Sequence, residues 1–201
     1  MNFKEIAIVL VGYQNDYFAE NGILKSVVEE PGRVDTVLKN TVALIEKLQS
    51  TEATILAAGI VLTPSYRALA NSTGILDKIK EVGAFTKGTH GAETIEELKQ
   101  FGDRILYVTG KEGFNSFNGT DLDALLKGKG IKQVWVAGMV TSLCIDSTGR
   151  AAYERGYQVS ILEDCSSART NFEQDYFCEN VFPLYARVIK GSEINNSAEK
   201  V

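Results

Sequence analysis

The sequence predicts a three-layer α/β fold, in which a mostly parallel six-stranded sheet carries helices on both faces. Short apolar runs alternate with stretches of helical periodicity, and most links between them are short. The first run, residues 6–11, lacks polar alternation, as expected of a central parallel strand buried on both faces. Right-handed crossovers then place the ligand-binding edge beyond the carboxyl ends of the strands.

Each predicted element depends on its apolar spacing and on the residues that end it. Strands are predicted at residues 6–11, 53–62, 104–109, 131–137, 157–162 and 186–189, and helices at 34–48, 121–126 and 142–155. Segment 65–91 has little periodicity apart from Ile75, Leu76 and Ile79, and long connections of this kind often form an active-site wall. We expect one domain over residues 1–191 and a polar tail at 192–201.

Composition excludes several classes of function. The net charge is −5 with both signs interspersed, so no nucleic-acid partner is expected. No apolar run approaches the roughly 20 residues that span a bilayer, and the first residues do not resemble a secretory signal, so no membrane association is expected. Three cysteines suit a reducing cytoplasm. The single histidine, His90, excludes a multi-histidine metal site within one chain, and no metal or cofactor is expected.

Cys144 lies where a reactive cysteine is expected. It follows a predicted strand and the turn 138–141, and the next helix is predicted to begin at Ser142. The unpaired amides and the dipole of a helix start favour the thiolate. A lone cysteine is more often a small buried hydrophobe, and that interpretation is kept for Cys165 and Cys178.

Five short motifs extend from the first strand to the helix after Cys144. They read VGYQNDYF at 11–18, GTHGAE at 88–93, GKEGFNSFNGT at 110–120, GMVTSLC at 138–144 and RAAYERGY at 150–157. Their order and spacing resemble the isochorismatase-like cysteine hydrolases, a family of nicotinamidases, N-carbamoyl amidases and isochorismatases on a Rossmann-like sheet. The resemblance implies a small-molecule substrate and a homo-oligomer.

The resemblance also implies roles for individual residues. The family's usual triad is aspartate, lysine and cysteine, and Lys111 and Cys144 stand at the last two positions. The family's cis peptide would join Val140, and backbone amides near Val140, Thr141 and Leu143 would form the oxyanion hole. Lys111 could also be an ordinary surface lysine.

Three aromatic residues, Tyr13, Phe18 and Phe117, are candidates to line a pocket for a planar substrate. Core packing or a subunit interface would explain them equally well. His90, in the glycine-threonine loop, is expected in a pocket wall rather than in catalysis.

The chain departs from the family at Gly12, which stands where the triad aspartate is expected. A glycine after a strand is also ordinary turn chemistry. Without a carboxylate the thiol proton has no obvious acceptor, and general acid–base help is typically worth about 10²–10⁴ in rate. Asp16, Glu112 and Asp164 are the possible substitute acids.

Two functions follow from these residues. The first is a cysteine hydrolase that cleaves a small amide or another C–N bond through a Cys144 acyl-enzyme. The second is a catalytically impaired relative kept for ligand binding, assembly or regulation. The observation that favours it is Gly12 at the position of the expected aspartate. Isochorismatase chemistry is disfavoured, because protonating a vinyl ether needs the acid that is missing.

Overall fold

The computed structural model describes residues 2–30 and 32–195, and it contains the predicted parallel sheet. Six strands pair in the order β3-β2-β1-β4-β5-β6, and all five pairings are parallel. The strands are β1 Ile6–Val11, β2 Thr54–Ala58, β3 Ile105–Val108, β4 Gln133–Met139, β5 Gln158–Ser167 and β6 Arg187–Ile189. The sheet is the centre of the core, since every residue of β1 and β2 is buried.

Helices surround this sheet in a three-layer arrangement. They are α1 Asn15–Phe18, α2 Arg33–Leu48, α3 Ile75–Val82, α4 Glu96–Lys99, α5 Leu122–Gly128, α6 Asp146–Glu154 and α7 Asn171–Tyr176. The strand order grows outward from β1 in one direction and from β4 in the other. The connections are right-handed in both halves of the sheet, but the chain moves in opposite directions across it in the two halves. The helices of the two halves therefore lie on opposite faces of the sheet.

The strand order reverses between β1 and β4, and this point positions the site. In an open α/β sheet the crevice at such a switch point is where ligands bind. The chain leaves β1 at Gly12 and β4 at Val140, next to each other because Val11 pairs with Gly138. The sequence motifs around these residues therefore meet at one edge.

β2 and β5 differ most from the prediction, and side-chain hydrogen bonds explain both differences. β4 is shifted by two residues, to Gln133–Met139. β2 ends at Ala58 because Gln14 takes over the next backbone groups: its Nε2 donates to Ile60 O (2.7 Å), and Ile60 N donates to its Oε1 (2.8 Å). β5 continues five residues further, to Ser167, after a register shift between Val136 and Gly138 of β4. The Ser166 hydroxyl accepts the Gly138 amide at 3.2 Å, so a polar residue completes the ladder there.

The packed part of the chain continues beyond residue 191, where the sequence predicts a tail. Asp164 accepts hydrogen bonds from Gly191 N (2.6 Å) and Ser192 N (3.1 Å), and Ile194 is buried. The rest of the predicted tail, 196–201, lies outside the described residues. Within the described ranges, no helix is both long and apolar enough to cross a bilayer.

Gly138 is required by the close approach of β1 and β4. Its φ is +125°, and a Cβ there would lie 1.9 Å from the Val11 carbonyl oxygen. We expect Gly138→Ala to lower the free energy of unfolding by at least about 3 kcal/mol, because the strands must separate or the backbone must change. Urea unfolding measures this.

Gly128→Ala is the matched control for that prediction. Gly128 lies in α5, and a Cβ there meets nothing within 4 Å. We expect this variant to match the wild type or to gain up to about 1 kcal/mol. Equal unfolding midpoints for Gly138→Ala and Gly128→Ala would contradict the proposed constraint.

Candidate active site

Cys144 lies in a wide π-type turn, Thr141–Ile145, between β4 and α6. The predicted helix therefore begins one turn earlier than α6, with a widened first turn of the kind often found at functional sites. The peptide Met139–Val140 that leads into the turn is cis. Val140 O accepts hydrogen bonds from Leu143 N (3.0 Å) and Ile145 N (3.3 Å), so the Leu143 amide is already bonded within the turn.

Lys111 approaches Cys144 from the loop after β3. Its side chain is 1% exposed, and Nζ lies 3.8 Å from Cys144 Sγ. Nζ also donates a hydrogen bond to Gly113 O at 2.6 Å. Burial disfavours the ammonium and lowers the pKa of Lys111, and negative charge on Cys144 partly opposes this. No ion pair joins Lys111 to a carboxylate within residues 2–30 and 32–195.

Gly12 occupies the end of β1 in a conformation that suits glycine. Its φ is +74°, and a Cβ there would lie 3.0 Å from Met139 O and 3.5 Å from Tyr17 Cε2. The Tyr17 ring therefore packs against the side of residue 12 from which a longer side chain would extend. Burial raises the pKa of the Tyr17 phenol, and negative charge on Cys144 and Asp16 raises it further, so Tyr17 remains protonated at neutral pH.

A small, mostly apolar cavity lies beside Cys144. Of the described residues that line it, only Arg169 is charged. The lining residues are Tyr17, Leu24, Val27, Ile60, Ile75, Ile79, Phe114, Val140, Leu143, Cys144 and Arg169. Segment 65–91 thus contributes one wall through Ile75 and Ile79 of α3, as the sequence indicates.

Arg169 is held at this cavity by an acidic partner. Its Nε lies 3.2 Å from Glu173 Oε2, and its backbone N donates to the same oxygen at 3.0 Å. The Ser142 hydroxyl donates to the other oxygen of Glu173 at 2.5 Å. Glu173 of α7 therefore links the cavity's charged residue to the turn that carries Cys144.

The possible substitute acids lie elsewhere in the described structure. Asp16 Oδ2 accepts the Phe85 amide at 2.6 Å, and the carboxylate packs so closely on Gly91 that a Cβ there would lie 2.0 Å from Oδ1. Asp164 binds the backbone near the end of the domain. Glu112 lines a separate, more open cavity on the β3 side. None of the three lines the Cys144 cavity.

The other predicted site residues divide into two groups. Val140 and Leu143 line the cavity with Cys144. Thr141 does not, because its buried hydroxyl donates to Gln174 Oε1 at 2.7 Å. Within the turn, Leu143 and Cys144 face the cavity instead.

The three predicted pocket aromatics pack in the core rather than along the cavity. Tyr13 stacks on Phe18 with ring centroids 5.0 Å apart, and its hydroxyl donates to Cys165 O at 2.8 Å. Phe117 stacks against Tyr157 at 6.3 Å. All three rings therefore lie in the core, as in the core-packing alternative that the sequence leaves open.

Much of the cavity wall is not predicted from the sequence. Tyr17 and Phe114 lie within two of the motifs, so those motifs could have indicated them. Leu24, Val27 and Arg169 lie outside the predicted strands and helices, and their place beside Cys144 is visible only in the fold.

No metal-ligand cluster of three or more histidine, cysteine or acidic residues occurs in the described part of the chain. His90 instead lies against Asn15, whose Nδ2 is 3.2 Å from Nε2 and donates to His90 O at 2.8 Å. The chemically distinctive pair at this edge is therefore Cys144 with Lys111.

Replacing Gly12 measures the backbone strain at the end of β1. We expect Gly12→Ala to lower the free energy of unfolding by about 1–3 kcal/mol, because φ is positive and Met139 O is close. Gly12→Asp carries the same backbone cost, so its activity is best compared with that of Gly12→Ala. Urea unfolding checks the cost.

Gly113→Ala provides the reference in the same series, since its Cβ would meet nothing within 4 Å. A Gly12→Ala protein as stable as Gly113→Ala would show that residue 12 tolerates a side chain.

Comparison with known proteins agrees with this geometry. The isochorismatase domain family matches residues 6–193. The uncharacterized isochorismatase family protein YddQ of Bacillus subtilis (strain 168) is 29% identical over 164 residues, which are 82% of this chain and 78% of that protein. Ureidoacrylate amidohydrolase RutB of Agrobacterium fabrum is 29% identical over 181 residues, covering 81% of this chain and 76% of that protein.

A solved structure shares the fold. The crystal structure of a cysteine hydrolase from Pseudomonas syringae pv. phaseolicola has a TM-score of 0.80 at 19% identity, and it covers 96% of this chain and 92% of that one. Because the family match spans almost the whole chain, this protein belongs to the isochorismatase family of hydrolases.

Proposed function

We propose that the protein is a cysteine hydrolase that cleaves a small amide or another C–N bond. The observation that carries this proposal is the contact between Cys144 Sγ and the buried Lys111 Nζ, 3.8 Å apart, beside an apolar cavity. A buried amine next to a thiol is an arrangement that activates a nucleophile. The similarity to an amidohydrolase supports a C–N bond as the target.

The proposed reaction proceeds through a thioester on Cys144. Sγ attacks the carbonyl carbon, the C–N bond breaks, and water then releases the acid. The turn that carries Cys144 supplies backbone amides beside the attacked carbonyl, and such donors stabilise the developing oxyanion. Because Leu143 N and Ile145 N are both bonded to Val140 O, the other amides of the turn are the better donors.

The cavity limits the substrate to a compact molecule. Its lining is mainly aliphatic and aromatic, which favours a small apolar ligand. Arg169 provides one cationic group in this lining. We therefore expect an amide with a small apolar body and at most one anionic or carbonyl group.

A second function, binding without turnover, is favoured by one observation. Gly12 replaces the expected acid, and no carboxylate is among the described residues that line the Cys144 cavity. A relative with this arrangement would keep the pocket for ligand binding or regulation. Turnover that depends on Cys144 decides between the two functions.

Thiol labelling tests whether Cys144 is activated. At pH 7 we expect iodoacetamide to modify Cys144 at least tenfold faster than Cys165 or Cys178, with each site quantified by mass spectrometry. Burial raises the pKa of both other thiols to about 12, and nearby carboxylates add to the effect, so both are almost fully protonated at pH 7.

Cys178 is the internal control for access, because it is less buried than Cys144. Its labelling rate is expected to rise about tenfold per pH unit towards pH 12, since only the thiolate reacts. Equal rates for Cys144 and Cys178 at pH 7 would count against an activated nucleophile.

An amide screen tests turnover directly. We expect the wild type to release amine or ammonia from at least one small apolar amide, and Cys144→Ala to lose this activity by at least about 10³-fold, because the covalent step is removed. Cys165→Ala is the control that should keep the rate within about threefold. Turnover that survives Cys144→Ala would refute the acyl-enzyme.

Assembly as a homo-oligomer, a cytoplasmic location and the lack of a nucleic-acid partner stay predictions. The three thiols are free in the structure, which suits a reducing compartment.

A further inference from the structure

We propose that Lys111 carries the reaction's proton: its Nζ takes the proton from the Cys144 thiol and delivers it to the leaving nitrogen. The inference depends on the proposed amide hydrolysis and specifies how it proceeds without a carboxylate. It gives this chain a two-residue lysine–cysteine mechanism, with the lysine acting as base and acid rather than only as a positive charge.

The charge balance of the site is the first argument. An aspartate at position 12 would neutralise the Lys111 ammonium beside a neutral thiol, but Gly12 has no side chain to do so. An ammonium next to a neutral thiol would then bury an uncompensated charge at 1% exposure, which is costly. The neutral alternative is a pair that holds one proton fewer, either as amine and thiol or as ammonium and thiolate. In both forms a single proton is shared between Nζ and Sγ.

The geometry allows that transfer. Nζ lies 3.8 Å from Sγ, and its donation to Gly113 O at 2.6 Å fixes the orientation of the amine. A neutral amine can donate one N–H to the Gly113 carbonyl and keep its lone pair for the thiol proton. Burial lowers the pKa of Lys111 and makes the neutral amine accessible, which supports this assignment.

The other groups near the pair are poorly suited to accept the proton. Tyr17 stays protonated because its pKa is raised by burial and by negative charge on Cys144 and Asp16, so it can only donate. Arg169 carries a guanidinium, which has hydrogen-bond donors but no acceptor. Asp16 accepts the Phe85 amide, and Glu173 is held by Ser142 and Arg169. Neither carboxylate lines the cavity.

The steps balance in protons and electrons. Sγ forms a bond to the carbonyl carbon as Nζ gains the thiol proton, and the carbonyl oxygen takes the π electrons. The oxyanion re-forms the carbonyl, the C–N bond breaks, and Nζ gives its proton to the leaving nitrogen. Water then attacks the thioester and passes a proton to Nζ, which returns it to Sγ as the carboxylic acid leaves.

An experiment that varies the leaving group distinguishes proton transfer by Lys111 from stabilisation by its positive charge. Lys111→Arg keeps a cation that cannot release its proton, and Lys111→Met removes both functions. We compare an amide turned over by the wild type with p-nitrophenyl acetate, whose leaving group departs as a stable anion. Lys111→Arg should lose at least about 10²-fold on the amide but stay within about tenfold on the ester, and Lys111→Met should lose both. Amide turnover by Lys111→Arg within tenfold of the wild type would overturn the proposal.

A second measurement does not depend on turnover or on fitting an arginine into the buried site. Lysine side chains are labelled with ¹³C at Cε in Cys144→Ala, and Lys111 is assigned by its absence from the Cys144→Ala, Lys111→Met spectrum. Without the thiol, we expect Lys111 to titrate well below the ordinary range of lysines near 10.4. If it titrates with the exposed lysines, it remains an ammonium at neutral pH and cannot accept the proton.

The two experiments distinguish failure of this inference from failure of the proposed function. A wild type that turns over no amide, with Cys144 no more reactive than Cys178, refutes the hydrolase, and the lysine titration still decides whether Lys111 can accept a proton. Cys144-dependent turnover that survives in Lys111→Arg refutes only the proton transfer.

Discussion

The close contact between the ends of β1 and β4 is the constraint on which the rest of the structure depends. Val11 pairs with Gly138, and only a residue without a side chain allows that approach. The same contact brings Gly12 beside the turn that carries Cys144, with Met139 O next to both. The site is therefore formed where the two strand ends meet, and side chains from several other segments enclose it.

The buried lysine at this edge forms no ion pair with a carboxylate among the described residues. Lys111 has Cys144 as its charge partner in the described structure, and the remaining contact of Nζ is a neutral carbonyl. A buried pair of this kind is stable when its net charge is zero. With glycine at position 12, no side chain there adds a charge to this pair.

Most of the fold could be predicted from the sequence, because buried parallel strands are continuous apolar runs and α2 has a clear helical period. The end of β5 could not, since its polar residues pair through a register shift that no local pattern signals. Motif spacing predicts that Cys144 and Lys111 share one edge of the sheet, and the structure places Sγ 3.8 Å from Nζ. For Tyr13 the sequence leaves a pocket, core packing and a subunit interface open, and its hydroxyl binds Thr41 and Cys165 in the core. Arg169 was missed, because its approach depends on where α7 packs.

The wall formed by α3 has a consequence for how this protein can change over evolution. Ile75 and Ile79 line the cavity from α3, which lies in the connection between β2 and β3. These apolar side chains determine the shape of the cavity and form no side-chain hydrogen bonds. Substitutions there can enlarge or reshape the space around a substrate while the contact of Lys111 with Cys144 stays as it is. On the proposed function, the shape of the pocket and the nucleophile come from separate parts of the chain, so substitutions in α3 would change the substrate without changing Cys144 or Lys111.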